Sequence, residues 1–435
     1  MKSISGLLFW GVLITANSAF SQKLLLKNGH IVNPATEEVT NGHLVIQDEI
    51  INDILQKVPA TFEGEVIDLS GKWLIPSLND MHTHSFGNSG PGNKSQLLST
   101  VGTAKMMLYC GVTGFLDLFS AEDYIINLRN RQRIKGLRGA DIYCAGPCFT
   151  CTDGHCTEYG IPTRVIDSPE DARREVSALA EKNPDVIKLV YHTNGRMPTV
   201  NKETMEALIA AANEHEIKTV IHIGSWQDAE EAVLAGATAL THTIKKEIPH
   251  KLLKLLKQKD VFMIPTLTVH SGLLKISESP NFLKNDLLKN VTTEALLAAY
   301  EDSSLFGTHA KHWLDRQKSQ REIILRNIKK LSQNGIRIMT GTDAGNLGTF
   351  QGYSVHTELA LLVEAGLSPW QALAASGTVP GEFWGKSFGV QPGDEANLVV
   401  LSASPIEDIR NTEKIEMIIH HGKVVDREKL IAVQK

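Results

Sequence analysis

Between residues 73 and 386 short apolar runs alternate with polar, helix-forming stretches eight times. The runs are "WLIPSLNDMH", "VTGFLDL", "ADIYCAG", "DVIKLVY", "IKTVIHI", "ATALTH", "VFMIP" and "GIRIMTGTD". Each is short and rich in β-branched residues, as a buried strand is. Between them lie segments such as "SPEDARREVSALAEK" and "NKETMEALIAAANEH", with Ser or Asn before the first turn and Gly close to several ends. Eight β/α units in this length predict an α/β protein of the (β/α)8 TIM-barrel class over residues 73–386. The two ends differ from the middle. "KLLLKNGHIVN", "GHLVIQDEIINDI" and "EGEVIDLSGKWLIP" alternate like strands, with turns at Asn28-Gly29 and Asn41-Gly42, and "DEANLVVLS" and "IEMIIHHGKVVD" answer them near the C-terminus. Residues 22–72 and 387–435 are therefore expected to form a small β-sandwich domain beside the barrel.

The balance of charge removes some classes of function. The net charge of −5, with 44 basic residues and no long basic block, gives no reason to expect nucleic acid or an anionic membrane as partner. A small-molecule substrate is expected, and a homo-oligomeric state is left open. "MKSISGLLFWGVLITANSAFSQ" has Lys2, an apolar stretch from Leu7 to Thr15, then Ala19 and Ser21 in small-x-small order. This is the pattern of a signal peptide over 1–21 with cleavage before Gln22, and the apolar stretch is too short to span a bilayer. The mature chain is expected to be exported, periplasmic or secreted, and soluble. Export permits disulfides. Of five cysteines, Cys144, Cys148, Cys151 and Cys156 fall close together and Cys110 stands apart. A structural zinc site, a short-loop disulfide and plain buried thiols all suit that spacing.

The chemistry-bearing residues fall at the ends of the apolar runs, where a barrel of this class places its functional groups. His82 and His84 close the first run, in "NDMHTH". Alternate residues of a strand share a face, so the two imidazoles start about 7 Å apart along the backbone and aim at one point. Lys188 lies in the fourth run, His222 in the fifth, His242 ends the sixth and Asp343 ends the eighth. Neutral imidazole and carboxylate are common metal ligands. Six such side chains at strand ends of one barrel point to a metal centre.

These residues make the chain resemble the amidohydrolase superfamily over nearly its whole length after residue 21. His82-Thr83-His84 resembles the superfamily's first-strand H-x-H, His222 and His242 its fifth- and sixth-strand histidines, and Asp343 its eighth-strand aspartate. "CGVTGFLDL", "TDGHCTEYG" and "GDEANLVVLSASPIEDI" resemble its second strand, a Gly-His loop and its return strand. The branch most resembled is imidazolonepropionase-like and Xaa-Pro-dipeptidase-like. Cys156 stands where a small residue is common there, and "LTHT" lacks the acid that often precedes the sixth-strand histidine.

The resemblance implies two divalent ions, expected to be Zn2+. His82, His84 and Asp343 would hold the more buried one and His222 and His242 the second. Lys188, as a carbamate, would bridge them. A buried lysine near cations loses its proton readily, and the neutral amine adds CO2. The two ions would lie about 3.5–4 Å apart, share a hydroxide and polarise the scissile carbonyl. Asp343 would take the hydroxide proton and pass it to the leaving amine. His155, Tyr191, His192 and Arg196 follow the third and fourth runs and are expected to line the substrate site. The expected activity is hydrolysis of an amide bond in a peptide or N-acyl amino acid. A lactonase or cyclic amidase is the alternative on the same site, and a silent metal-binding protein the remote one.

Overall fold

The computed structural model describes residues 23–302 and 308–431; the expected signal segment 1–21 lies outside them. Eight barrel staves follow the eight apolar runs. Their strands are Leu78–Thr83, Val112–Asp117, Asp141–Cys144, Val186–Tyr191, Lys218–Ile223, Ala239–Thr241, Phe262–Ile264 and Arg337–Ile338. Neighbours pair in parallel, with helices such as Pro169–Ala180, Lys202–Glu214 and Trp226–Leu234 crossing between them. Ser168, Asn201 and Ser225 cap these three helices by accepting the backbone N–H three residues on.

Period-two alternation sorts each stave. In Val186–Tyr191 the side chains of Val186, Lys188 and Val190 face the barrel axis, while Ile187, Leu189 and Tyr191 join the core under the helices. In Lys218–Ile223, Val220 faces the axis and Ile221 and Ile223 face out. The inner core is apolar at the strand starts, where Val186, Val220, Ala239, Phe262 and Met339 meet. Two residues further along the same staves the inward positions turn polar, at Lys188, His222 and Thr241. An apolar plug below a polar mouth therefore follows from the sequence register.

Two staves depart from the simplest reading. The third breaks at Gly146-Pro147, where Gly146 takes φ 76° and Pro147 offers no N–H. Asp141–Cys144 pairs with the second stave, and the chain resumes as Cys148–Thr150 against the fourth. The eighth has only two strand residues and then closes the barrel through single hydrogen bonds. Met81 N–H donates to Thr340 O at 2.9 Å, and the N–H groups of Thr342 and Asp343 donate to His82 O at 3.1 and 2.7 Å.

The apolar run beginning at Trp73 is split. Trp73–Pro76 pairs with Lys23–Asn33 and, antiparallel, with Leu398–Leu401, so it belongs to the small sheet; the barrel begins at Leu78. That sheet has eight strands and branches at Lys23–Asn33, which pairs with Glu38–Gln47 on one side and with Glu65–Asp68 and Trp73–Pro76 on the other. Its two faces are sorted by the same alternation. Leu24, Leu26, Leu74, Leu398 and Val400 fill its own core, whereas Val32, Ile75, Val399 and Leu401 pack into the barrel's helical layer. No helix among the described residues is long and apolar enough to cross a membrane.

Candidate metal centre

Six polar side chains from five staves converge at the C-terminal mouth of the barrel. Asp343 is the hub. Its Oδ1 lies 3.0 Å from His84 Nε2 and 3.4 Å from His82 Nε2, and its Oδ2 lies 3.8 Å from His242 Nδ1. His242 Nε2 faces His222 Nδ1 at 3.2 Å. The His82 ring sits 4.7 Å from His242, and His222 sits 4.5 Å from His242, between centroids. One atom each of His82, His242 and Asp343 falls within 4.8 Å of the others. Asp343 adopts φ 55°, a left-handed conformation disfavoured for a non-glycine residue, which turns its carboxylate back over the first stave.

Hydrogen bonds around this group set which nitrogens are bare. Thr266 donates its hydroxyl to Pro265 O at 2.8 Å, so its oxygen is left to accept from His242 Nδ1 at 2.7 Å. The proton of His242 is thereby assigned to Nδ1, and Nε2 presents a lone pair toward His222. His82 Nδ1 is engaged by Thr241 Oγ1 at 2.9 Å, leaving Nε2 toward Asp343. Below them Asp80 accepts from the Thr342 hydroxyl at 2.6 Å and from the N–H groups of Thr342 and His82. Burial pushes the Asp80 carboxyl up to about 7.

Burial holds the imidazoles of His82, His222 and His242 well below the usual histidine range. Neutral imidazole is the form that binds a cation. Burial alone would raise the Asp343 carboxyl, but the histidines around it hold it well below the usual carboxylate range. Lys188 is 3 % exposed and its Nζ has no hydrogen-bond partner among the described residues. Burial lowers its affinity for a proton, against the opposing pull of Cys148, Asp343 and Cys156. His84 Nδ1 is likewise buried without a hydrogen-bond partner among the described residues, while its Nε2 lies 3.0 Å from Asp343 Oδ1. An unpaired buried donor or acceptor costs about 1–3 kcal/mol. Nitrogens facing one another, a buried lysine whose proton is held less tightly and an ionised carboxylate form a donor set that fits divalent cations.

The expected substrate-side residues separate into two groups. His155 and His192 flank His222, at 5.3 and 5.7 Å between ring centroids, and His155 is held by Glu158 at 2.6 Å. His192 comes this close because residue 224 is glycine: a Cβ there would lie 1.6 Å from the His192 ring. Arg196 is exposed in the loop after the fourth stave and makes no ion pair among the described residues. Tyr191 is a correction. It lies three residues after Lys188, hence on the opposite face of the stave, and its hydroxyl donates to Glu231 on the outer helix Trp226–Leu234. It does not reach the mouth.

Sequence reasoning missed His270. It lies in the helix Leu267–Glu278 that follows the seventh stave, 6.4 Å from His242 between centroids, with Nε2 unpartnered. Burial lowers its imidazole to about 4. The signal was a histidine five residues past "VFMIP", but it stands in a helix and not in strand register. The five cysteines are all free and buried. Cys156 and Cys148 touch at 2.9 Å between sulfurs, beside Lys188, while Cys144 and Cys151 take no part in that contact.

The chain is similar to several known proteins. Ochratoxinase of Aspergillus niger is 22% identical over 467 residues, covering 94% of this chain and 88% of that protein. Dihydroorotase of Clostridium acetobutylicum is 20% identical, covering 93% of this chain and 100% of that one. The crystal structure of a Xaa-Pro dipeptidase with bound methionine in its active site superposes with a TM-score of 0.74 at 19% identity, over 93% of this chain and 100% of that one. The model of the amidohydrolase family matches residues 73–425. The chain therefore belongs to the amidohydrolase family of hydrolytic enzymes.

Proposed function

We propose that the protein is an exported, metal-dependent hydrolase that cleaves the amide bond of a dipeptide or N-acyl amino acid. The observation that carries this reading is the convergence at the barrel mouth of the Asp343 carboxylate, buried neutral imidazoles and the Lys188 and His84 nitrogens that have no hydrogen-bond partner among the described residues. Those residues would hold two divalent ions, with zinc the expected metal. His82, His84 and Asp343 would hold one, His222 and His242 the other, and Lys188, as a carbamate, would serve both. When bound, such ions acidify water and polarise a carbonyl. The protein's own groups do the rest. Asp343, ionised and central, accepts the proton of the attacking water and returns it to the leaving amine. Asp80 holds the turn at Thr342 that aims Asp343. His155 and His192 border the second position, and His270 backs His242.

Arg196 supports the substrate class. It is an unpaired guanidinium in the mouth loop, and its planar fork suits a carboxylate. The known relatives include a dipeptidase, which points the same way. Export rests on the order of residues 1–21. The test is a panel of dipeptides, N-acyl amino acids, their C-terminal amides and a lactone, assayed with zinc before and after chelation. The carboxylate substrates should turn over and lose that turnover with chelator. Arg196→Met should cost on the order of 2–5 kcal/mol in kcat/KM for the carboxylate substrates and much less for the amides. Turnover of the lactone alone, or equal losses for acid and amide, would remove this substrate class.

A further inference from the structure

We infer that the chain carries a second, non-catalytic metal site, for a divalent transition-metal ion, made by Asp141, His420 and His421 where the barrel floor meets the small sheet. Asp141 opens the third stave, at the end opposite the catalytic mouth. His420 ends the strand Ile415–His420, and His421 stands in the turn that follows. His421 Nε2 lies 3.0 Å from Asp141 Oδ1, and His420 Nε2 lies 3.6 Å from Asp141 Oδ2. One ligand atom from each of the three residues falls within 4.8 Å of the others. A tetrahedral ion with bonds of about 2.0–2.2 Å spaces its ligand atoms about 3.3–3.6 Å apart.

Local backbone shape is what brings the two histidines to one side. Neighbouring residues of a strand point to opposite faces. His421 escapes that rule with φ 49°, and Gly422 follows at φ 71°, as the two-residue turn between the paired His420 and Lys423. A turn with positive φ at both positions favours Asn-Gly or Asp-Gly, and histidine there is strained. The result is that the rings lie side by side, 4.0 Å between centroids. Gly422 itself is required, since a Cβ there would lie 1.7 Å from Asp48 O.

The His420 side chain is 10% exposed, and its Nε2 points at Asp141 Oδ2 from 3.6 Å, with no atom among the described residues at hydrogen-bond distance. The His421 ring also has a carboxylate behind it, with Nδ1 turned toward Glu49 Oε2 at 4.0 Å. Two imidazoles and one carboxylate suit zinc, nickel, cobalt or copper rather than magnesium or calcium. A cleft of about 900 Å³, lined by these residues and by Arg133, Tyr143 and Trp384, leaves room for water as the fourth ligand. The ion would staple the last hairpin of the small sheet to the barrel floor.

The test compares the full chain with His421→Asn, which keeps a favoured Asn-Gly turn and removes one ligand. Both are stripped with chelator, reloaded with zinc and freed of excess metal. The wild type should retain one more zinc per chain than the variant, with the same hydrolytic turnover. Crystals soaked in zinc should show an anomalous peak between Asp141 and the two histidines, absent in the variant. His420→Gln should behave as His421→Asn does. Equal zinc content in wild type and both variants, or no anomalous peak at that position, would overturn the site and leave an ordinary ion pair.

Discussion

Both ends of the barrel bury charged and polar side chains, and they treat them in opposite ways. At the N-terminal end, charges are paired off. Arg129, 1% exposed, binds Asp185 at 2.7 Å and Asn183 O at 2.8 Å, and Asp185 also takes Arg133 at 2.7 Å and the Cys144 N–H. Arg337 binds Asp260 at 2.6 Å and covers the Phe262 ring. At the C-terminal end Lys188, His84 and His270 each keep a buried nitrogen without a hydrogen-bond partner among the described residues. A network with its partners in place specifies and stabilises a fold, whereas one left open costs stability and offers reactivity. On the floor side Arg337 Nε, Trp384 Nε1 and His420 Nε2 also lack a hydrogen-bond partner among the described residues, and of these only the imidazole of His420 can offer a lone pair to an ion.

Substitution at each end should separate the two roles. The largest effect belongs to Asp343→Asn and Lys188→Ala at the open end. Asp343→Asn should lower kcat by about 10²–10⁴-fold, because an amide cannot take the proton, while much of the metal is kept. Lys188→Ala should lose metal and activity together, read by elemental analysis of protein grown with zinc and bicarbonate. Near-normal turnover in the first, or full metal content in the second, would break the contrast. Neither should lower the unfolding free energy much, since both relieve an open site.

Arg129→Met at the closed end should do the reverse. Breaking a buried pair costs about 3–5 kcal/mol, and the lower figure applies here because Arg133 stays on Asp185. Denaturant unfolding should show that loss with kcat per folded molecule unchanged; a fall in kcat with stability intact would mean the two ends are not independent. Tyr191→Phe is the smallest change. It removes one hydrogen bond to Glu231 on the outer face, so stability should fall by about 1 kcal/mol and kcat/KM should hold within twofold. A large loss of kcat/KM would return Tyr191 to the substrate site.

Where sequence was informative, strand register was the reason. His82, Lys188, His222 and Asp343 were picked out by their place at the ends of apolar runs, and a stave has only one inward face at that height. Tyr191 was misplaced by ignoring the same rule: an odd offset from Lys188 points outward, whatever loop follows. His270 was passed over because a helix, not a strand, carries it to the mouth, and its angle there depends on how that helix packs. The run from Trp73 looked like one strand because β-propensity cannot see a change of partner after Ser77, whose N–H still bonds to Asn397 O beside the small sheet while the next N–H, of Leu78, bonds to Gly111 O on the barrel side. The cysteine spacing admitted three outcomes, and only the fold shows which sulfurs meet.

The closing of the barrel has a consequence in time. Thr340 and Thr342 bond back to Asn79 and Asp80, across 261 and 262 residues of chain, and Trp73–Pro76 sits between an early strand and Leu398–Leu401. A ribosome must therefore deliver nearly the whole polypeptide before either ring of contacts can shut. Contacts of such long sequence separation form late and slowly. Asp343 is carried into place by the same bonds that close the barrel. An unfinished or partly folded chain thus has no competent hydrolase in it, and the enzyme stays silent until its synthesis is almost done.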